Sequence, residues 1–126
     1  MRATPTRMVI AFTGHRDGRV GELWLHEIAA WFPGALWIHG GADGFDSQVD
    51  EYAFRMGIQR QVLRPDYKTH PPKIAPLIRN RALVAQADFL VACWDGRLSG
   101  GTFFTVEEAR RKGIAMLILP PAKEEP

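Results

Sequence analysis

Short apolar runs and one-sided apolar stripes alternate along this chain, cut apart by Gly, Pro and Asp. Residues 8–13 form an apolar run ending at Gly14, the mark of a buried strand. Residues 20–32 carry apolar side chains at 20, 23, 24, 28 and 31, a helical spacing stopped by Pro33-Gly34. Residues 36–39 read as a second strand, closed by Gly40-Gly41. Phe45, Val49, Tyr52, Ala53 and Met56 make a helical stripe that ends at Gly57. Residues 59–63 read as a third strand stopped by Pro65, and the Pro-rich stretch 65–76 as a loop. A helix over about 77–86, a strand over 88–94, a helix over 103–112 closed by Gly113 and a strand over 114–119 complete the series. Strands alternating with helices imply crossover connections and a parallel sheet covered on both faces. The apolar rather than alternating strands fit that arrangement. The expectation is a single three-layer α/β domain with a mostly parallel sheet of about five strands. A mixed sheet with one antiparallel edge is the alternative.

Composition narrows the class without changing the fold. The chain has 126 residues, 46% hydrophobic and 24% charged, ordinary values for one globular domain. That domain is expected over residues 8–119, with loose ends at 1–7 and 120–126. A lone cysteine, Cys93, excludes a disulfide framework and a Cys-based zinc site. No apolar run approaches the ~20 residues of a membrane helix, and no signal-peptide core follows residues 1–7. A cytoplasmic protein without a membrane partner is the expectation. The net charge of +2 is too small to attract nucleic acid strongly by itself.

In an open parallel sheet, ligands bind beyond the carboxyl ends of the strands. Here those ends read Thr13-Gly14-His15-Arg16, Gly40-Gly41-Ala42-Asp43-Gly44, Arg64-Pro65-Asp66 and Trp94-Asp95-Gly96, the last running on to Ser99-Gly100-Gly101-Thr102. Glycines and small polar residues thus gather on one edge. Gly40-Gly41 and Gly100-Gly101 each stand between a strand and a helix, where a bare backbone and free N–H groups suit a phosphate. The alternative is that they only make tight turns. Thr102 adds a hydroxyl donor and is a candidate cap of its helix. Arg16 has the fork for paired bonds to a phosphate or carboxylate. Asp46 is a candidate for bonding ribose hydroxyls or fixing Arg16, and Asp43 for a helix N-cap. Arg79 and Asn80 are placed to face the same edge. Glu107 lies one and a half turns beyond Thr102.

Other chemistries lack their motifs. There is no G-x-G-x-x-G, no G-x-x-x-x-G-K-[ST] and no G-x-S-x-G. His15, His26, His39 and His70 show no HExxH-type spacing. Neither a metal nor a cofactor is expected.

The runs Phe12-Thr13-Gly14-His15-Arg16, Gly40-Gly41-Ala42-Asp43-Gly44-Phe45-Asp46, Arg79-Asn80-Arg81 and Gly100-Gly101-Thr102 together resemble the SLOG superfamily, named for Smf/DprA and Lonely Guy. The second half, from Asp88 through Gly113, is similar to its YpsA-like group. The resemblance spans about residues 8–119. It implies a Rossmann-like fold that binds nucleotides or nucleotide-derived ligands, with phosphate at the Gly100-Gly101-Thr102 helix start and Gly40, Gly41 and Arg16 lining the same cleft. Gly14, Asp46, Asn80 and Ser99, on the same edge, are further candidate binding residues. It also implies a homo-oligomer. The Lonely Guy enzymes carry Gly-Gly-x-Gly-Thr and a catalytic Glu three residues later. Here the x-Gly is missing, the corresponding position is Thr105, and the first glutamate is Glu107.

Three functions are compatible with this reading. The first is a nucleotide sensor or carrier. The second is an N-glycosidase or phosphoribohydrolase acting on a nucleoside monophosphate, with Asp46 or Glu107 as the carboxylate and Arg79 matching the family's second catalytic residue. The third, DprA-like, is single-stranded DNA binding through the arginines and Trp94, Phe103 and Phe104. Four Trp in so short a chain also point to self-association.

Overall fold

A computed structural model describes residues 7–123. Its elements run β1 (Val9–Gly14), α1 (Glu22–Trp31), β2 (Leu36–His39), α2 (Phe45–Arg55), β3 (Arg60–Val62), α3 (Ala75–Gln86), β4 (Phe89–Cys93), α4 (Gly100–Lys112) and β5 (Ala115–Leu119). The strands form one sheet in the order β3-β2-β1-β4-β5. All four pairings are parallel, so among the described residues there is no antiparallel edge. β1 is central, in register with β2 through Ala11 and Ile38 and with β4 through Phe12 and Val91.

Side chains alternate across the strands and build two cores. Ile10, Phe12, Trp37, Val91 and Cys93 pack under α1 and α2 with Leu25, Ile28, Phe45, Val49 and Tyr52. Ala11, Ile38, Leu90 and Ala92 pack on the other face with Leu83, Val84, Val106 and Ala109 of α3 and α4. Helices therefore cover both faces of a Rossmann-like three-layer domain.

The stripe expected for the first helix is out of phase. Leu23, Trp24 and Trp31 are exposed, and the helix buries Leu25 and Ile28. Val20 is buried but stands outside the helix, held by both its backbone groups to the Gln48 side chain (2.9 and 2.7 Å). With Val20 excluded, the helical phase is set by Leu25, Ile28 and Phe32. The other departure is α4, which begins at Gly100 rather than at 103. Low glycine helix propensity argued for a loop there, but Asn80 and Thr105 both engage the Gly101 carbonyl and fix the first turn.

Of the ends expected to be loose, residues 1–6 and 124–126 lie outside the described residues. Residues 120–123 have no helix or strand, yet the Ala122 N–H donates to the Arg19 carbonyl (2.7 Å). Among the described residues no helix is long and apolar enough to cross a membrane.

Candidate functional site

The chain leaves β1 towards β2 and β3 on one side, then crosses back through α3 to enter β4 on the other. The carboxyl ends of β1 and β4 therefore flank the point where strand order reverses, the crevice in which such sheets bind ligands. A cleft of about 410 Å³ opens there. The β1–α1 turn (Thr13 to Asp17), Ala42, Asp46 of α2, Arg79 and Asn80 of α3, and Ser99 to Thr102 at the start of α4 all line it.

The α4 end of the cleft is an uncapped helix start. Ser99 is the N-cap residue, but its side chain makes no capping hydrogen bond, so the leading N–H groups remain available to a ligand. Thr102, expected as a possible cap, lies inside the helix instead, buried at the cleft wall. Asp43 is likewise not a cap; Gly44 occupies that position of α2.

Asp46 is the unusual group. Its Oδ2 accepts hydrogen bonds from the Gly40 and Ala42 N–H groups, both at 3.2 Å, and so folds the loop after β2 around the carboxylate. Its Oδ1 is buried with no hydrogen-bond partner. The residue is only 5% exposed, and it lines the cleft. Burial pushes its pKa above the ordinary carboxylate value, with Arg79 and the two backbone donors pulling the other way.

An orphaned carboxylate oxygen costs stability, which yields a prediction with a definite sign. The folded form holds the Asp46 proton to a higher pH than the unfolded chain does. The native state therefore loses stability as pH rises from the ordinary value near 3.8 through the raised one. Asp46→Asn is neutral throughout and keeps an acceptor for Gly40 and Ala42. Urea denaturation is expected to show wild type and variant alike at low pH, and the variant more stable by about 1–2 kcal/mol at pH 8. A variant less stable at pH 8 would contradict this account.

Arg79 reaches across the site. Its Nε donates to Asn80 Oδ1 (2.7 Å), and its Nη1 donates to the Gly40 carbonyl and, at 3.5 Å, to that of Leu63. Asn80, 6% exposed, is thereby oriented with its amide nitrogen towards the Gly101 carbonyl (3.5 Å). Arg79, Asn80 and the α4 start thus form one connected wall. Burial and the nearby Arg16 lower the Arg79 pKa, opposed by Asp46 and Tyr67. Arg16 itself is exposed at the cleft mouth.

The glycines divide by role. The Arg79 guanidinium lies against Gly40, so closely that a Cβ there would overlap it. A Cβ on Gly41 would stand 2.9 Å from Arg64 Nη1, and one on Gly14 would stand 2.6 Å from the Phe45 Cβ. The bare backbone at Gly14, Gly40 and Gly41 therefore admits neighbouring side chains, whereas Gly100 and Gly101 face open space apart from Asn80.

Glu107 does not join the cleft. It is half-buried on α4 and pairs with Arg110 (3.2 Å). Nor do the three aromatics: Trp94 stacks on Phe103 and donates to the Arg97 carbonyl, and Phe104 carries Arg81 on its ring. Cys93 is buried, with its thiol pushed up to about 11 by burial, so it is no thiolate nucleophile at neutral pH.

Several participants went unmarked in the sequence. Arg97 lines the cleft but is tied to Asp95, whose carboxyl it holds well below the usual range. Buried His39 accepts the Gly41 N–H at Nδ1 (3.0 Å) and meets Asp50 through Nε2 (2.8 Å), bracing the glycine loop from behind. Arg64 and Tyr67 follow β3 at the same sheet edge. Their position at a strand's carboxyl end was the available signal. No protein-family model matches the chain, and no curated protein matches it either.

Proposed function

We propose that this protein binds a nucleotide or nucleotide-derived ligand in the cleft between the β1 and β4 ends, as a sensor or carrier. One observation carries the reading: the unpartnered, buried Asp46 Oδ1 and the uncapped start of α4 share one cleft. A helix start with free N–H groups suits a phosphate. A carboxylate oxygen without a donor suits a hydroxyl, which a phosphate does not carry in its dianionic form but a ribose does. A phosphorylated sugar satisfies both ends at once. Arg16 and Arg79 offset the charge of the phosphate beside Asp46. The resemblance of the glycine-bearing runs to the SLOG superfamily agrees with this assignment.

The glycosidase reading retains one support, a buried carboxylate of raised pKa beside an arginine. Asp46 would then be the acting carboxylate, without Glu107.

The test is a thermal-shift panel of nucleoside mono-, di- and triphosphates, NAD, ADP-ribose, cyclic nucleotides, molybdopterin compounds and short single-stranded DNA, with unphosphorylated nucleosides as controls. At ~100 times its Kd a ligand adds about 2.7 kcal/mol, which in a domain of this size raises Tm by roughly 8–13 °C. At least one phosphorylated compound is expected to reach that shift, and its parent nucleoside to fall well short. Chromatography of the bound compound after incubation then separates carrier from glycosidase by the release of free base. Equal shifts with nucleoside and nucleotide, or a shift with DNA alone, would overturn the proposal.

A further inference from the structure

Beyond Arg79 the cleft continues into a second lobe of about 330 Å³, lined by Arg16, Gly41, Asp43, Arg64, Tyr67 and Arg79 among others. Arg16 and Arg79 are shared between the two lobes.

The second lobe gathers arginines that have no carboxylate within 4 Å among the described residues. Eleven arginines fall among the described residues. Six of them, Arg55, Arg60, Arg81, Arg97, Arg110 and Arg111, pair with a carboxylate within 4 Å. Of the five that make no such pair among the described residues, three line this lobe: Arg16, Arg64 and Arg79. Asp43 is the single acidic residue in its lining. Three guanidinium groups gathered around one cavity repel one another; Asp43 in the lining and Asp46 beside Arg79 offset part of that charge, and an entering anion would offset the rest.

The arrangement is also built rather than incidental. Gly40 and Gly41 are consecutive, and each carries a guanidinium against its bare Cα, Arg79 on the first and Arg64 on the second. Arg79 spends Nε and Nη1 on Asn80, Gly40 and Leu63, and its Nη2 has no acceptor among the described residues. Tyr67 sits on a loop pinned by Asp66, whose carboxylate accepts from the Lys68 and Thr69 N–H groups and the Thr69 hydroxyl. A guanidinium anchored through Nε and Nη1, with Nη2 left over, keeps N–H donors for an oxyanion.

We infer that this lobe is a second anion subsite, which takes a phosphoryl or carboxylate group of the ligand distinct from the phosphate at the α4 start. The inference rests on the nucleotide reading above and sharpens it. The ligand class becomes one with anionic groups at two positions, as in a nucleoside carrying two separately attached phosphates. A nucleoside monophosphate would fill only one lobe.

Inorganic phosphate titrated into the full chain and followed by amide NMR tests both sites separately. Two groups of amides are expected to move: Gly100 to Thr102, and Gly41 to Asp43 together with Arg64. Arg64→Gln should weaken the second response at least tenfold and leave the first within about twofold. Gly101→Leu should abolish the first and leave the second. A wild-type spectrum in which the Gly41 and Arg64 amides do not respond would overturn the second subsite. So would equal weakening of both groups by Arg64→Gln. Failure of the Gly100 to Thr102 amides alone would instead sink the phosphate cradle at α4 and leave this lobe standing as an anion site.

Discussion

Gly44→Ala is expected to destabilise the fold by about 3–5 kcal/mol. Gly44 precedes α2 with φ of 73° and ψ of −120°, a combination that a side chain strongly disfavours. Holding a non-glycine residue in so sparse a region costs about 1–3 kcal/mol. A second cost comes from contact. A Cβ on Gly44 would overlap the Arg16 carbonyl group and stand 2.6 Å from the His15 carbonyl oxygen. Both obstacles are backbone, so no rotamer change relieves them, and overpacking of this kind adds about 1–3 kcal/mol. Gly57 gives the control. Its φ of 69° is similar, but a Cβ there meets nothing within 4 Å. Gly57→Ala should therefore show only the backbone cost of about 1–2 kcal/mol, and the difference between the two variants in urea denaturation measures the overlap together with the added cost of the Gly44 ψ. If both variants lose the same stability, the β1–α1 turn is not pressed against the start of α2 as described. The loss at Gly44 is large against the 5–15 kcal/mol that hold a typical domain together.

The same residue shows where sequence reasoning reaches and where it stops. Clustering of glycines at the carboxyl ends of strands located the edge at which the cleft opens, because the alternation of apolar runs and helical stripes already implied a parallel sheet. What each glycine does there depends on neighbours far along the chain. Gly40 is bare because Arg79, thirty-nine residues later, lies on it. Gly44 is bare because the Arg16 backbone passes over it. No local pattern carries that information. The start of α4 was misplaced for a related reason: two glycines and a threonine have poor helix propensity, and the bonds from Asn80 and Thr105 to the Gly101 carbonyl support the turn from residues outside it. The phase of α1 slipped because Val20, apolar and buried, belongs to the loop rather than to the helix.

Asp46 was legible as a cleft residue but not as an orphan. Its position after Gly40-Gly41 set it at the sheet edge. That one oxygen would take two backbone donors and the other none follows from how the loop wraps the carboxylate. Glu107 lies outside the cleft lining. A helical rise of 1.5 Å per residue separates it from Thr102 along α4, and Arg110, one turn on, takes its carboxylate. Arg64 was placed at the end of the third strand but not singled out, because an arginine beside a proline-rich loop has no signature of its own. Its significance appears only when Arg16 and Arg79 are seen around the same lobe.

Gly101→Leu is expected to abolish phosphate-dependent ligand binding, by at least 100-fold in Kd, while the fold keeps or gains stability. Gly101 sits in the first turn of α4 without a positive φ, and the nearest atom to a Cβ there is Asn80 Nδ2 at 3.4 Å, an ordinary contact. A Cβ thus meets no obstacle, and the side chain beyond it is expected to occupy the cleft that Gly101 lines, beside the free N–H groups. A hundredfold loss corresponds to about 2.7 kcal/mol, within reach of displacing a charged group from several donors. Leucine is also a better helix former than glycine by up to roughly 0.8 kcal/mol, so urea denaturation should show a variant at least as stable as wild type. This pairing of outcomes separates Gly101 from Gly44. At Gly44 an added methyl group meets backbone, and stability pays. At Gly101 an added side chain meets the cleft, and binding alone should fail. Calorimetric titration of both variants with the compound that stabilises the wild type decides the matter. Undiminished affinity in a stable Gly101→Leu protein would move the phosphate away from α4, and the Asp46 carboxylate would then need a different partner.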